Sequence, residues 1–305
     1  MKLYAPEYYK DFKCIADRCK HSCCVGWEID VDETTLEKYK SLEGELGDAI
    51  RASIEDGEVP HFRLCDGDRC PHLTGKGLCK IILGLGEDYI CDICREHPRF
   101  YNDTSRGKEV GLGIACEEAC RLVLTSENYS YMVEIGELDG DVCRSERDFD
   151  ALSEREKVFS ILSDKSLPYL ERLKALSREY GVSPDILDER GWRELFASLE
   201  YLDESHKGEF DAFARSPQAC GAIDVYLERA LAYFIYRHCT EAEDIDDFMS
   251  SLGLCLVLER LLASLCAENG ARTVDDIILP ARIISEELEY SEENAEEIKL
   301  EFAFR

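Results

Sequence analysis

The stretch "CIADRCKHSCCVGW", residues 14–27, holds Cys14, Cys19, Cys23 and Cys24 in its first eleven positions. Cys65, Cys70 and Cys79 follow, then Cys91, Cys94, Cys116 and Cys120, so eleven of the sixteen cysteines lie between 14 and 120. Thiolates are soft ligands that suit zinc tetrahedra and iron–sulfur clusters, with four per site the usual requirement. Eleven can serve two sites with some left over. Neighbouring side chains diverge, so Cys23 and Cys24 do not readily aim both sulfurs at one small ion. Either one ligates while the other packs, or the two serve different centres. "CDIC" at 91–94 has the two-residue spacing that lets a turn wrap one metal atom, whereas a zinc ribbon uses two such knuckles. Ligands scattered over about a hundred residues suit an iron–sulfur cluster among loops better, with zinc as the alternative. His21, His72 and His97 sit among these thiols. They are expected to be hydrogen-bonded or solvated neighbours, with ligation as the other possibility.

The compartment decides whether such thiols are disulfides. "MKLYAPEYYKDFK" lacks the basic region and apolar stretch of a signal peptide, and the longest apolar segment, "SLGLCLVLERLLASLC", is interrupted by Glu259 and Arg260. A cytoplasmic, non-membrane protein is therefore expected, and there the thiols point to metal or redox chemistry. A formal charge of -29 repels phosphate backbones and anionic lipid. Nucleic acid is thus not an expected partner, and a lysine-bearing protein is. The radical S-adenosylmethionine spacing CxxxCxxC is absent. "LGLGED" at 83–88 matches no nucleotide loop and is expected to be a turn.

The elements that must position the thiols differ between two parts of the chain. Residues 1–146 are short-segmented, glycine-punctuated and cysteine-rich. Helices are expected in "DETTLEKYKSLEGELGDAIRASI" and from Glu117 to about Leu124, and strands at "VGWEIDV" (25–31) and "KEVGLGIA" (108–115). Residues 147–305 read as amphipathic helices: "EREKVFSILSD", "LPYLERLKALSREY", "SPDILDERGWRELFASLEYLDE", "AIDVYLERALAYFIYRHC" and "IDDFMSSLGLCLVLERLLASLCAEN". In the third, Ile186, Trp192, Leu195, Phe196, Leu199 and Leu202 recur at helical spacing. Ser183 and Ser291 are expected caps. Cys220, Cys239, Cys255 and Cys266 fall on apolar helix faces and read as small buried hydrophobes. The expected fold is mainly α: a cysteine-rich loop-and-helix metal-binding region, 1–146, then an antiparallel helical domain, 147–305.

The segments "FKCIADRCKHSCCVGWEIDVDETTLEKY", "CPHLTGKGLCKI", "CREHPRF" and "GIACEEACRLVL" together resemble the successive motifs of the flagellin lysine-N-methylase family, a cysteine-rich family similar in ligand pattern to small zinc or iron chelators. "YLERALAYFIYRH" and "ARIISEELEYSEENAEEI" extend the resemblance along most of the chain. The resemblance implies metal ligands at Cys14, Cys19, Cys23, Cys24, Cys70, Cys79, Cys94 and Cys116, with Cys65, Cys91 and Cys120 as extras. It also implies an iron–sulfur cluster and transfer of a methyl group from S-adenosylmethionine to lysines of flagellin or another protein. Trp27 is a candidate to stack on the adenine or the sulfonium, with a core position as the alternative. The residues single out no catalytic base and no oligomeric state. The reading from a different class is a metal or iron–sulfur carrier without transferase activity.

Overall fold

A computed structural model describes residues 1–139, 149–215 and 221–303. The chain is mainly α, with a small mixed sheet. It divides into two compact units. Unit 1 comprises Met1–Phe12, Phe100–Ala115 and Ala119–Arg305, and unit 2 comprises Lys13–Arg99 with Cys116–Glu118. The position 146/147, Cys143 and Cys220 lie outside the described residues.

In unit 1 the helix Ile245–Glu268 is the core. It starts where the Asp244 carboxylate accepts from Asp247 N, and it packs against Asp224–His238, Val274–Ile284 and Glu292–Ala303. By length and composition this helix could cross a membrane, yet 89% of its apolar window is buried within the protein's own fold. "EREKVFSILSD" and "LPYLERLKALSREY" form Ala151–Leu162 and Tyr169–Tyr180. The third amphipathic stretch is broken: Ser183 caps a single turn, Pro184–Ile186, and Asp188 starts a new helix, Glu189–Ser198, by accepting from Gly191 N at 2.8 Å. The expected stripe is cut accordingly, with Trp192, Phe196 and Leu199 buried and Leu202 70% exposed beyond the helix end. Ser291 caps Glu292–Ala303 by accepting from Asn294 N.

The sheet runs Arg99–Thr104, Gly107–Leu112, Lys2–Pro6, Met132–Glu137. Lys2–Pro6 pairs parallel with the second strand, Leu3 opposite Lys108, and antiparallel with the last, Ala5 opposite Val133. The strand expected at 108–115 is therefore present, shifted to 107–112. Gly111 admits no side chain: a Cβ there would lie 2.2 Å from Phe100 Cζ and 2.7 Å from Tyr236 Cε1. Gly111→Ala is expected to cost about 1–3 kcal/mol through overpacking, read as a lower urea midpoint with an unchanged slope.

Unit 2 has short elements around a small core. The stretch 32–54 forms two helices, Glu33–Ser41 and Gly44–Ala52, because the chain breaks at Leu42–Glu43 and Gly44 takes a positive φ of 86°. Ile54–Glu55 and His61–Phe62 form a minimal hairpin. The strand expected at 25–31 reduces to isolated bridges at Val25 and Asp30, since Gly26, at φ 83°, interrupts the extended run. "LGLGED" is divided between the helix Lys80–Leu85 and a turn at Gly86. The core consists of Ile29, Val31, Tyr39, Ile50, Phe62, Cys70, Ile81 and Cys91, with Cys24 and Cys79 packed against it.

Candidate functional site

All eight cysteines implied as ligands belong to unit 2. Cys14, Cys23 and Cys94 are exposed, Cys19, Cys24, Cys79 and Cys116 half-buried, and Cys70 buried. Of the extras, Cys65 is exposed and Cys91 buried in unit 2, whereas Cys120 is buried in unit 1.

Local structure brings the N-terminal thiols to Cys116. A single turn at Ala16–Arg18 reverses the chain after Cys14, and Cys19 then points its thiol at His21 O (3.2 Å) and Glu117 Oε2 (3.6 Å). Lys20 N donates to the same carboxylate oxygen at 2.7 Å, which fastens this loop to the residue next to Cys116. Cys19 is pushed up to about 11 by burial first, with Glu117 and Cys116 adding to the effect. Cys23 feels the charges of Cys24, Cys116 and Cys14.

Cys24 belongs to different surroundings. Its carbonyl accepts from Cys70 N at 2.9 Å, its own N–H donates to Ser22 Oγ at 3.2 Å, and Gly26 N reaches Asp68 O at 2.9 Å. Segment 24–26 is thereby laid against 68–70. A bridge between Leu73 and Cys79 closes the "CPHLTGKGLC" loop, so Cys79 returns beside Cys70. Cys70 is raised to about 11 by burial, with Cys24 and Cys79 contributing. Cys94 feels Cys91, Cys24, Cys70 and Cys79. Cys91 begins the helix Asp92–Glu96, lies 3.7 Å from Tyr39 Oη and is raised to about 12, mainly by burial.

The adjacent thiols are hydrogen-bonded to each other. This bond, helped by Ser22 and the Arg69 charge against the opposing effect of burial, lowers Cys24 to about 6 and raises its neighbour Cys23. His72 is a core residue, its ring edge-on to Phe62 and its Nε2 2.8 Å from Ser53 Oγ, as expected of a hydrogen-bonded histidine. Trp27 is half-buried. In unit 1, Cys239, Cys255 and Cys266 are buried among apolar residues, with the Cys239 and Cys255 sulfurs 3.9 Å apart.

Among the described residues no three His, Cys, Asp or Glu side chains are gathered tightly enough to hold a metal ion. The thiols stand near one another without closing on a common point. Thiols are soft ligands, but here their surroundings are mixed: Cys19 lies by Glu117, Cys91 by Asp32 and Tyr39, and Cys24 by Arg69, while Cys70 has Cys24 and Cys79 among its neighbours.

Unit 1 carries an open hollow of about 690 Å³, lined by Glu209, Glu268, Asp275 and Asp276 above Leu265, Leu279, Pro280 and Ile283. Sequence patterning had not singled it out. Its carboxylates come from three separate segments, and only folding assembles them.

No protein-family model and no solved structure matches the chain. Curated relatives do. It is 27% identical over 131 residues to a lysine-N-methylase of Salmonella choleraesuis, a match covering 39% of this chain and 31% of the relative. A lysine-N-methylase of Salmonella typhimurium gives 26% over the same shares. The flagellar biosynthetic protein FliU of Salmonella muenchen is 26% identical over 129 residues, 39% of this chain and 75% of that protein. The match thus spans about a third of the length of the named methylases. The resemblance read from the cysteine motifs is one to lysine-N-methylases, and two of these three relatives carry that name.

Proposed function

We propose that the protein is a cytoplasmic lysine N-methyltransferase that moves a methyl group from S-adenosylmethionine to lysines of flagellin or another lysine-bearing protein, with an iron–sulfur cluster, or zinc in its place, held by the thiols of unit 2. The observation that carries this reading is the sequence likeness to proteins named lysine-N-methylase. The clustering of all eight implied ligands in one compact unit supports the metal.

The chemistry sets requirements that the chain's residues can meet. The amine must lose its proton before its lone pair forms the new N–C bond, while the sulfonium S–C bond breaks and sulfur keeps the electron pair. A cationic lysine is drawn to a chain of net charge -29, and the acidic hollow of unit 1 combines carboxylates for an ammonium with apolar walls for its methylenes. An iron with an open coordination position would, when bound, supply chelation of the amino and carboxylate groups of S-adenosylmethionine. Trp27, beside the conformationally unusual Gly26 and three residues from Cys24, is the candidate to stack on the adenine or sulfonium.

The decisive experiment incubates anaerobically purified protein with methyl-labelled S-adenosylmethionine and flagellin, then maps the label by mass spectrometry. Label on lysine side chains establishes the transferase, and its absence in metal-loaded protein overturns it. A second reading has its own observation: the match covers most of FliU, a relative whose name specifies flagellar biosynthesis and no catalytic activity. A metal-loaded protein without transfer would be a metal or iron–sulfur carrier.

A further inference from the structure

The hollow of unit 1 combines two kinds of surface. Glu209 comes to it from the turn His206–Asp211, Glu268 from the end of the helix Ile245–Glu268, and Asp275 and Asp276 from the first turn of Val274–Ile284. Among the described residues that line it there is no Lys, Arg or His. The helix end adds to the negative field, because aligned peptide dipoles place about half a negative charge at a C-terminus. No basic residue in the last turn of this 24-residue helix offsets that charge. Leu279, 45% exposed, and the buried Pro280 supply apolar surface beside the carboxylates.

The acidic walls are set before any ligand arrives. The buried Glu287 carboxylate accepts from Leu202 N at 2.7 Å, Asp203 N at 3.1 Å and His206 Nδ1 at 2.7 Å, which fixes the start of the turn that carries Glu209. Asp276 accepts from Arg272 N and Thr273 N, both at 2.9 Å, in the capping box of its helix. A divalent ion needs several oxygens closed round it, and no three carboxylates of the described residues are gathered tightly enough for that. An alkyl cation uses both surfaces, its methylenes on Leu279 and Pro280 and its charged end among the carboxylates. Such a cation stays charged there. Carboxylates beside an amine favour its protonated form, whereas methyl transfer needs the lone pair free.

We infer that the hollow is a docking site for a lysine- or arginine-bearing segment of a protein partner, and that it holds a basic residue other than the lysine that is methylated. The separation from the methylated lysine rests on the transferase reading, while the docking stands on the lining of the hollow. Its volume of about 690 Å³ lies within the roughly 300–1,000 Å³ of sites that enclose drug-sized ligands, so a basic side chain enters together with part of its neighbours.

The test titrates the full-length protein with acetylated, amidated tetralysine by calorimetry. Glu209→Gln with Asp275→Asn should weaken binding about 3- to 30-fold, the loss of two exposed charge pairs. Glu156→Gln with Glu297→Gln removes the same charge from exposed positions of unit 1 outside the hollow and should change binding less than about twofold. Leu279→Asn should weaken tetralysine and tetraarginine alike. Equal losses in the two double variants would show that net charge alone draws the peptide, and would overturn the site. So would a wild type that binds no tetralysine, or displacement of the peptide by Ca²⁺ at constant ionic strength, which would make the hollow a metal site. Carbodiimide cross-linking to flagellin, read by mass spectrometry, should join Glu209, Glu268 or Asp275 to a lysine that the labelled methyl group does not reach. The same lysine in both maps would overturn the separation. Tetralysine binding lost in the hollow variant, with no methyl transfer by the wild type, would keep the docking site and sink the transferase. Methyl transfer with equal losses in the two double variants would do the reverse.

Discussion

Replacing Glu109 with Gln is expected to destabilise unit 1 by about 3–5 kcal/mol, since it leaves the buried Arg155 guanidinium without a counter-charge. Glu109 has no exposed surface, and Arg155 grips it with two bonds, Nη1 to Oε2 at 2.7 Å and Nη2 to Oε1 at 3.0 Å. Arg106 adds a third at 2.6 Å, and Thr240 Oγ1 takes a further Arg155 N–H at 2.5 Å. The amide keeps the shape but not the charge. Arg155→Met is expected to cost a similar amount, while Glu109→Leu with Arg155→Met should recover much of the loss, because two apolar groups need no partner. Urea unfolding of the wild type, Glu109→Leu, Arg155→Met and the double variant closes the cycle, with Glu109→Gln measured beside it. Acid gives an independent reading. Burial alone would raise the Glu109 carboxyl, but Arg155 and Arg106 outweigh it and hold the group below its ordinary value of 4.5. Its contribution is thus fully present above about pH 4.5 and is lost as pH falls through the lower folded value. Stability of the glutamine variant should fall less steeply over that range. Equal acid slopes would show that the pair does not set the dependence.

Glu109 also shows where the sequence stops being legible. Helix positions follow in part from local signals: Ser183 and Ser291 cap as their spacing predicts, and apolar spacing marks Ala151–Leu162, Tyr169–Tyr180 and Ile245–Glu268, whereas the break at Asp188 went unread. The strands Lys2–Pro6, Arg99–Thr104 and Met132–Glu137 went unread. Their partners are remote, Leu3 pairing with Lys108 on one side and Gly136 on the other, and five- or six-residue segments carry little periodicity of their own. Buried carboxylates are hidden for the same reason. Glu228 looks like one more surface acid of a helix until folding brings Arg172, Lys165 and Tyr129 onto it. Glu289 likewise acquires Tyr233, Ser285 and Arg237 only in the folded chain. The cysteines were conspicuous by density, and their spacing proposed ligands. What each cysteine stands by is a property of the fold: Cys19 reaches the carboxylate of Glu117, next to Cys116, from almost a hundred residues away, while the Cys24 carbonyl accepts from Cys70 N.

Anaerobic chelation of the metal proposed for the thiols is expected to unfold unit 2 while the helices of unit 1 persist. The reason lies in what each unit buries. Unit 1 has the long helix Ile245–Glu268 with 17 of its 24 residues buried, and helices packed along it. Unit 2 has a core of eight residues, two of them cysteines, and helices of nine, nine, six and five residues, shorter than helices that are stable without tertiary support. Its longest ladder is two residues per strand. A small core needs a staple, and in small zinc modules the metal supplies on the order of 10 kcal/mol of free energy coupled to folding. Hydrogen exchange read by mass spectrometry before and after chelation checks this. Protection should collapse across 13–99 and survive in 224–238 and 245–268. Restoring iron and sulfide, or zinc, should restore it. If protection in 13–99 were unchanged by chelation, the apolar core alone would hold unit 2. The thiols would then be guests of a fold they do not maintain.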